Sequence, residues 1–176
     1  MPRWLLMIML TVLSGITASC SEEPEVRPPL FDLAAPQGDI VLEVTGAVSN
    51  RNSDNGAQFD MEMLRALPSA IINTHTSVMD GVQRFEGFLL RDLLGGLGAT
   101  GATIRASALN DYSVDIPLAD LEKFDVIVAH SMNGAPLSLR DKGPLWIVYP
   151  RDQHSELQDI RYDYRWVWQL KALDVE

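Results

Sequence analysis

The only cysteine of the 176-residue chain, Cys20, ends an N-terminal export signal, so the domain behind it folds without a thiol. Such a domain has no disulfide, no cysteine-bound metal and no cysteine nucleophile, and its stability must come from an apolar core. About 140 residues remain behind the export signal and the linker that follows it, which is enough for one domain with an adequate core. We therefore expect a single, conventionally packed domain.

Residues 1–20 have the three parts of a secretion signal. Arg3 supplies the positive start, residues 4–13 (WLLMIMLTVL) form a short apolar run, and residues 14–20 form a small-residue exit. The apolar run is shorter than the about 20 residues that span a bilayer. Two interpretations stay open, lipidation at Cys20 as in a bacterial lipoprotein or ordinary cleavage. Both place the protein in the periplasm.

The chain is acidic and begins with a polar tether. It carries 14 basic and 24 acidic residues, a net charge of −10. Such a surface repels phosphate groups, which argues against nucleic acid as a partner. Residues 21–38 (SEEPEVRPPLFDLAAPQG) are rich in proline and acid and show no apolar period, so they predict a flexible linker. The folded domain is predicted to occupy residues 39–176.

Behind the linker, short apolar runs alternate with turn signals. Strands are predicted over 40–48, 70–76, 103–109, 112–116, 126–132, 145–149 and 165–175, and helices over 59–67 and within 85–97. Asp60 is the predicted N-cap of the first helix, and Asn133-Gly134 is the predicted hairpin turn. In the last strand one face is predicted to hold Trp166, Trp168, Leu170 and Ala172. The fold class is α+β, a mostly-β mixed sheet domain.

Three polar clusters are candidates for a ligand site. They are Asn73, Thr74, His75 and Thr76; Asn110, Asp111 and Tyr112; and Arg140, Asp141 and Lys142. The run 73–77 (NTHTS) is polar at every position, unlike a half-buried strand, and predicts that a strand ends there at a cleft. The other two clusters are turns, whose commoner role is solvation or capping. Together they suit a flat amino-heterocycle, which needs a carboxylate, an aromatic ring and a cation.

Several other features of the sequence reduce the number of possible functions. The sequence contains no nucleophile elbow, P-loop, dinucleotide fingerprint or H-E-x-x-H motif, so hydrolase and nucleotide-binding functions have no support. Trp146, Trp166 and Trp168 are typical of a core or the flank of a sheet. Arg165 is predicted to reach an anion or to pair with Asp163. The charged loop over 151–164 is either a lid or a partner surface.

With these motifs the chain resembles the oxidoreductase molybdopterin-binding domain, the fold of sulfite oxidase and of periplasmic methionine sulfoxide reductases. The resemblance runs in order over residues 40–175. It rests on IVLEVTGAV, FDMEMLRALP, THTSVMDG with FEGFLLRDLL, ALNDYSVDIPLADL, DVIVAHSMNGAPLSLRDKGPLWIVYP and RWVWQLKALDV. The small, exported, stand-alone members of that family resemble the chain most.

The resemblance also shows which residue of this chain stands at the position of the family's metal ligand. In the catalytic members a cysteine binds molybdenum and an aromatic residue follows it; these positions correspond to Thr74 and Val78 here. A threonine hydroxyl is a poor replacement for a thiolate, because it stays protonated where a thiol ionises. The resemblance therefore implies that the polar clusters line a pterin pocket without a metal.

Relatives that lack the cysteine include periplasmic pterin-binding regulators, and three hypotheses follow. In the preferred one the protein is a non-catalytic sensor. It binds a pterin, in reduced form, and signals to the periplasmic domain of a membrane-bound diguanylate cyclase or phosphodiesterase, which controls cyclic di-GMP. The alternative is a molybdopterin-dependent oxidoreductase. The third is a scaffold that kept the fold and lost all ligands.

Overall fold

A computed structural model describes residues 33–176, so the predicted export signal, Cys20 and most of the predicted linker lie outside the described residues. The strands are β1 (Leu42–Gly46), β2 (Gly56–Phe59), β3 (Ser69–Thr74), β4 (Gln83–Leu89), β5 (Thr103–Ala108), β6 (Ser113–Pro117), β7 (Ile127–Met132), β8 (Ala135–Pro136), β9 (Trp146–Val148) and β10 (Leu170–Val175). The helices are α1 (Met61–Arg65), α2 (Leu90–Gly96), α3 (Leu118–Lys123) and α4 (Ile160–Asp163), with 3₁₀ turns at Arg151–Gln153 and Ser155–Gln158. The predicted mostly-β α+β class is confirmed.

The strands form two five-stranded sheets. The first has the order β2-β1-β10-β5-β6, and in the second β3, β4 and β7 lie side by side with β8 and β9 both paired to β7. β1 and β10 run parallel, whereas their other neighbours are antiparallel. None of the helices in residues 33–176 is long and apolar enough to span a membrane.

The core lies where the two sheets and α2 meet. The predicted leucine face of the second helix is confirmed, because Leu90, Leu93, Leu94 and Leu97 are all buried. The centre of the second sheet is apolar on both faces, since β9 and the first half of β7 are fully buried. A strand that is covered on both faces has a continuous run of apolar residues in its sequence. The hairpin turn at Asn133-Gly134 is also confirmed, with both residues at positive φ.

The helix predicted within 85–97 begins only at Leu90, and the strand β4 that precedes it is not predicted. β4 pairs with β3 on one side and β7 on the other, with an irregularity between Glu86 and Gly87. A Cβ on Gly87 would lie 2.0 Å from the carbonyl oxygen of Val128, so only glycine fits between the strands. The segment lies in a strand because both neighbours pair with it, which local sequence does not show.

The predicted common face of the last strand is wrong after Leu170. Gln169 has a φ of 51°, and the register against β5 shifts between Leu170 and Ala172. As a result Leu173 is buried and Ala172 is only half-buried. A one-residue irregularity moves the following side chains to the opposite face of a sheet.

The predicted N-cap of α1 is confirmed. Asp60 is buried and accepts from the N–H of Met63 through Oδ1 and from those of Gln37 and Gly38 through Oδ2. The N–H of Met63 and those of Gly38 and Gln37 lower the pKa of Asp60. One carboxylate thus starts the helix and fixes the chain that leads into β1.

Replacing Asp60 by asparagine is expected to lower the Tm by about 2–6 °C at neutral pH, because an amide offers one acceptor oxygen instead of two. A carboxyl whose pKa is lowered by folding stabilises fully above its unfolded value, and that contribution is lost as the pH falls through the lowered one. The difference in Tm between wild type and Asp60→Asn should therefore shrink below pH 3.8, the ordinary value. Thermal unfolding followed by circular dichroism measures it, and a difference independent of pH would contradict the role of the charge.

Candidate functional site

A cleft of about 370 Å³ opens where the loop after β3, the β5–β6 turn, the start of β9 and the chain around α4 meet. Its lining consists of Ser77, Val78, Tyr112, Trp146, Ile160, Asp163, Tyr164, Trp166 and Trp168. Five of these nine residues are aromatic, and only one is charged. An apolar cleft of a few hundred Å³ with few polar groups is the usual form of a small-molecule site. We call it the aromatic cleft.

The floor of the aromatic cleft is built from tryptophans that belong to the core. Trp146 is 0 % exposed and Trp166 is 7 % exposed, and their ring centroids lie 6.1 Å apart at 70°. Trp168 lies 6.2 Å from Trp146 and is joined to it by a β-bridge. Edge-to-face packing of this kind holds the rings in place. The prediction that these tryptophans belong to the core or the flank of a sheet is confirmed for Trp146 and Trp166, which are buried, but it misses that they also form the floor of a cleft.

The rim of the cleft is exposed, and Tyr112 connects its two sides. The Tyr112 hydroxyl donates to the carbonyl oxygen of Tyr164 at 2.7 Å. Burial raises the pKa of Tyr112, and the neighbouring Tyr164 adds to the effect, so the phenol stays protonated and remains a donor. The turn itself is fixed by Asn110 Oδ1, which accepts from the Tyr112 N–H at 3.1 Å, and by Asp111 at φ 64°. The predicted cluster thus places Tyr112 in the cleft.

The structure brings the turns at 110–112 and 140–142 together, through Gln169. The carbonyl oxygen of Gln169 accepts from the N–H of Leu109 at 2.9 Å, and its own N–H donates to the carbonyl oxygen of Lys142 at 2.9 Å. Lys142 Nζ lies 5.8 Å from the Trp146 ring centroid and 2.8 Å from Asp141 Oδ1. Of the predicted carboxylates, phenol and cation, Tyr112 lines the aromatic cleft and Lys142 lies beside Trp146, whereas Asp111 and Asp141 are exposed and outside the lining.

The cluster at 73–76 lies beside the cleft, not in it. Thr74 and Thr76 are buried, whereas Asn73 and His75 are exposed. The prediction that this run does not alternate like a half-buried strand is therefore wrong, because its side chains alternate between the inside and the outside. The inward threonines are tolerated because their hydroxyls bond to the backbone: Thr76 Oγ1 accepts from the Val78 N–H at 3.3 Å. Ser77 and Val78, which follow the cluster, line the cleft instead.

Thr74 is enclosed by the first 3₁₀ turn. Its hydroxyl oxygen accepts from the Asp152 N–H at 3.1 Å and donates to the carbonyl oxygen of His75 at 3.3 Å. Asp152 Oδ2 in return lies 3.0 Å from the His75 N–H and 2.9 Å from His75 Nδ1. Burial acts to raise the pKa of Asp152, but the hydrogen bonds and charge of His75 outweigh it and lower that pKa. The loop over 151–164 is thereby fastened to the end of β3.

Arg165 does not pair with Asp163 as predicted. Its guanidinium contacts Asp120 and lies 4.8 Å from the ring of Tyr162. Asp163 contacts Arg151 instead. Asp163 therefore lies in the wall of the cleft, and Arg165 does not belong to the lining. Arg140 is exposed and does not line the cleft.

Asp163 is the candidate functional residue that the sequence pattern misses. Among the described residues it is the only charged side chain in the wall of the aromatic cleft, and its ion pair with Arg151 holds it there with 20 % of the side chain exposed. The signal that points to it is the aromatic density of residues 162–168 (YDYRWVW), in which one carboxylate stands between two tyrosines. A carboxylate among aromatic rings suits the NH groups of a flat heterocycle.

Comparison with protein families identifies the family of the chain. The sequence model of the family described as "Oxidoreductase molybdopterin binding domain" matches residues 36–154, more than half of the chain. The chain belongs to this family. The resemblance found in the sequence is confirmed at that level, and the finer resemblance to pterin-binding regulators stays a prediction. A search of curated proteins finds no match.

The residues of this family member suit one part of a molybdopterin better than the other. The aromatic rings and Asp163 fit a pterin ring, and the indole N–H groups of Trp146 and Trp166 are buried without a partner among residues 33–176. The metal part fits poorly, because the uncharged Thr74 hydroxyl is already engaged with two backbone groups. Within the described part of the chain, no three His, Cys, Asp or Glu residues are grouped to hold a metal ion.

Proposed function

We propose that this protein is a periplasmic pterin-binding regulator that does no redox chemistry of its own. The observation that carries the proposal is the aromatic cleft with Asp163 in its wall, in a chain whose family binds molybdopterin. The enclosure of Thr74, where the resemblance places the metal ligand, supports binding of the pterin alone. The ligand is a pterin, in reduced form, without a metal.

The cleft offers each contact that a pterin needs. The ring stacks against aromatic side chains of the floor and rim, of which Trp168 and Tyr164 are accessible. The 2-amino and N3–H groups of a pterin are two donors on one edge and suit the Asp163 carboxylate. The Tyr112 hydroxyl at the rim and the Lys142 ammonium, 5.8 Å from the Trp146 ring centroid, are further polar groups for substituents of the ring.

The signalling role rests on export and on the exposed rim. Ile160 and Tyr164 belong to the cleft lining, yet they are 62 % and 60 % exposed. A ligand in the cleft would contact the same side chains that a protein partner would meet. We propose that the partner is the periplasmic domain of a membrane-bound diguanylate cyclase or phosphodiesterase, which transmits pterin occupancy to cyclic di-GMP. The export signal and the resemblance support this partner.

The alternative is a molybdopterin-dependent oxidoreductase, and the family match favours it. In that case the metal would have to be held by the cofactor's own dithiolene without a protein thiolate, since Cys20 ends the export signal. The same experiment separates the two functions.

The protein should be purified from the periplasm of its native host and denatured, and the released small molecules analysed by mass spectrometry, with molybdenum quantified on the same sample. We expect a pterin without a dithiolene and no stoichiometric molybdenum. Near one equivalent of molybdenum with molybdopterin would overturn the proposal in favour of the oxidoreductase. No released molecule, together with no calorimetric binding of added reduced pterin, would overturn it in favour of a scaffold.

A further inference from the structure

β3 lies at the edge of the second sheet, and its outer side is open. Within the described part of the chain it pairs with β4 and with no other strand. In β4, the Arg84 N–H donates to Asn133 Oδ1 at 3.0 Å and the Arg84 carbonyl oxygen accepts from the Asn133 N–H at 2.8 Å, so both groups face β7. Asn73 lies opposite Arg84, and its own N–H and carbonyl therefore face away from β4. Because every second residue of a strand faces the same way, Ser69, Ile71 and Asn73 all have outward backbone groups.

These outward groups form a short open edge with closed ends. Among residues 33–176, none of them has a hydrogen-bond partner. At one end the next outward N–H, that of His75, already donates to Asp152 Oδ2 at 3.0 Å. At the other end Pro68 precedes the strand and has no N–H. We call the open stretch between them, residues 69–73, the β3 edge, and its middle residue is Ile71.

The other outer strands of the two sheets are protected. In β2, Asn52 covers the outer side, because its Oδ1 accepts from the Gln58 N–H at 2.7 Å and its Nδ2 donates to the Gln58 carbonyl oxygen at 2.8 Å. β6 carries Asp115 and ends at Pro117, and β8 has two residues, one of which is Pro136. Charges, prolines and short strands are the usual protection against pairing with another chain. The β3 edge contains no charged residue and no proline.

The sequence of the β3 edge (SAIIN) is complementary to itself when two copies run antiparallel. We propose that the β3 edge pairs with the β3 edge of a second copy of this chain, with the two-fold axis at Ile71. Ile71 then lies opposite its own copy, and Ser69 lies opposite Asn73 of the second copy. These residues face outward, so each opposing pair exchanges two backbone hydrogen bonds. Their side chains are exposed and meet on one face of the joined sheet.

Apolar contact and charge both favour a second copy as the occupant. Ile71 is 51 % exposed, and the pairing covers the two isoleucines with each other. Ser69 and Asn73 of the second copy can share a side-chain hydrogen bond. The chain has a net charge of −10, so two copies approach most easily at a segment without charge. The charges opposite Asn73 and Ile71 on β4, Arg84 and Glu86, form an ion pair at 3.1 Å and add no net charge to the interface.

The interface is small, so the dimer is expected to depend on concentration. Pairing of five residues is expected to bury less than the about 1,200 Å² of a standard stable interface. We expect a dissociation constant on the order of 100 µM. The inference goes beyond the proposed function and does not depend on it, because the β3 edge contains no residue of the cleft lining.

Sedimentation equilibrium of the mature protein from about 10 to about 500 µM, a range that brackets the expected dissociation constant, tests the proposal. The weight-average mass should rise toward twice that of the monomer. Ile71→Lys should weaken dimerisation at least about 10-fold, because two like charges would lie directly opposite each other. Leu139→Lys is the matched control, since Leu139 is 61 % exposed, lies outside β3 and changes the net charge equally. It should dimerise like the wild type.

Cross-linking tests the orientation and the register. In a Cys20→Ser background, Ser69→Cys and Asn73→Cys each introduce a single thiol. In the proposed dimer these two positions face each other, whereas two copies of the same position lie four residues apart, or about 13 Å. A mixture of the two variants, treated with a short bismaleimide, should therefore give at least about threefold more cross-linked dimer than either variant alone.

The outcomes separate this inference from the proposed function, since none of the measurements involves a pterin. A wild type that stays monomeric up to about 500 µM would overturn the inference and leave the β3 edge to a strand of another protein. Dimerisation of Ile71→Lys equal to that of the wild type would overturn it in favour of another surface. Equal cross-linking of the mixture and the single variants would overturn the antiparallel register. If Ile71→Lys does not fold, the cross-linking experiment decides the matter.

Discussion

Replacing Arg165 by methionine is expected to lower the free energy of unfolding by about 3–5 kcal/mol, because it leaves a buried carboxylate without its cation. Asp120 is 8 % exposed, contacts the Arg165 guanidinium and accepts from the Tyr149 hydroxyl at 2.9 Å. Burial, followed by the charge of Asp120, raises the pKa of Tyr149, so its hydroxyl stays protonated and donates to Asp120, but a neutral donor does not replace the lost cation. Urea unfolding followed by circular dichroism measures the loss.

Two further variants test the cause. Adding Asp120→Asn to Arg165→Met should recover part of the stability, because it removes the unpaired charge. Arg161→Met removes a nearby arginine whose ion pair with Asp159 lies at the surface, and it should unfold like the wild type. If Arg165→Met kept full stability and lost pterin binding instead, the sequence-based prediction of Arg165 as a ligand residue would be correct.

The parts of the fold that the sequence predicts are those with a local physical cause. The α2 leucines follow the helical period, the Asp60 carboxylate caps its own helix, and Asn133-Gly134 tolerates the positive φ of a tight turn. Each of these features depends on residues within one turn of the chain. Each of these features can therefore be predicted without knowledge of the tertiary structure.

The features that the sequence misses depend on distant neighbours. Gly87 lies in a strand because β3 and β7 pair on both sides of it, and the carbonyl of Val128 leaves no room for a larger residue. The positive φ of Gln169 and the shifted register at Leu170 break an alternation that is regular in sequence. A pattern of period two predicts a strand but carries no signal for an irregularity within it.

The sequence predicts the turns that border the candidate site, but it does not predict the residues that form the walls of the cleft. The clusters around Tyr112 and Lys142 were identified by their polar composition, and Gln169, an ordinary polar residue in sequence, joins them. The tryptophans were assigned to the core because alternating apolar residues are usually buried. Trp166 is buried and still forms part of the cleft floor, because its large ring can pack in the core on one side and border the cleft on the other.

Replacing Asp163 by asparagine is expected to weaken pterin binding about 10- to 100-fold, measured by titration calorimetry with a reduced pterin. A carboxylate that accepts from the N3–H and 2-amino groups makes charge-assisted hydrogen bonds, and their loss costs about 1.5–3 kcal/mol. Asparagine keeps the size of the side chain but presents an amide donor to the donors of the ligand. It also loses the ion pair with Arg151, so stability needs its own control.

Arg151→Met supplies that control, because it removes the same ion pair but keeps the Asp163 carboxylate as an acceptor for the ligand. It should reduce stability as Asp163→Asn does, with a much smaller loss of affinity. Asp111→Ala and Asp141→Ala test the carboxylates predicted from the sequence. Asp111 has 90 % of its side chain exposed and is paired with Lys171, and Asp141 is paired with Lys142, so both variants should retain most of the affinity. If either of them loses more affinity than Asp163→Asn, the ligand's NH groups are bound at the turns, and the assignment of Asp163 is wrong.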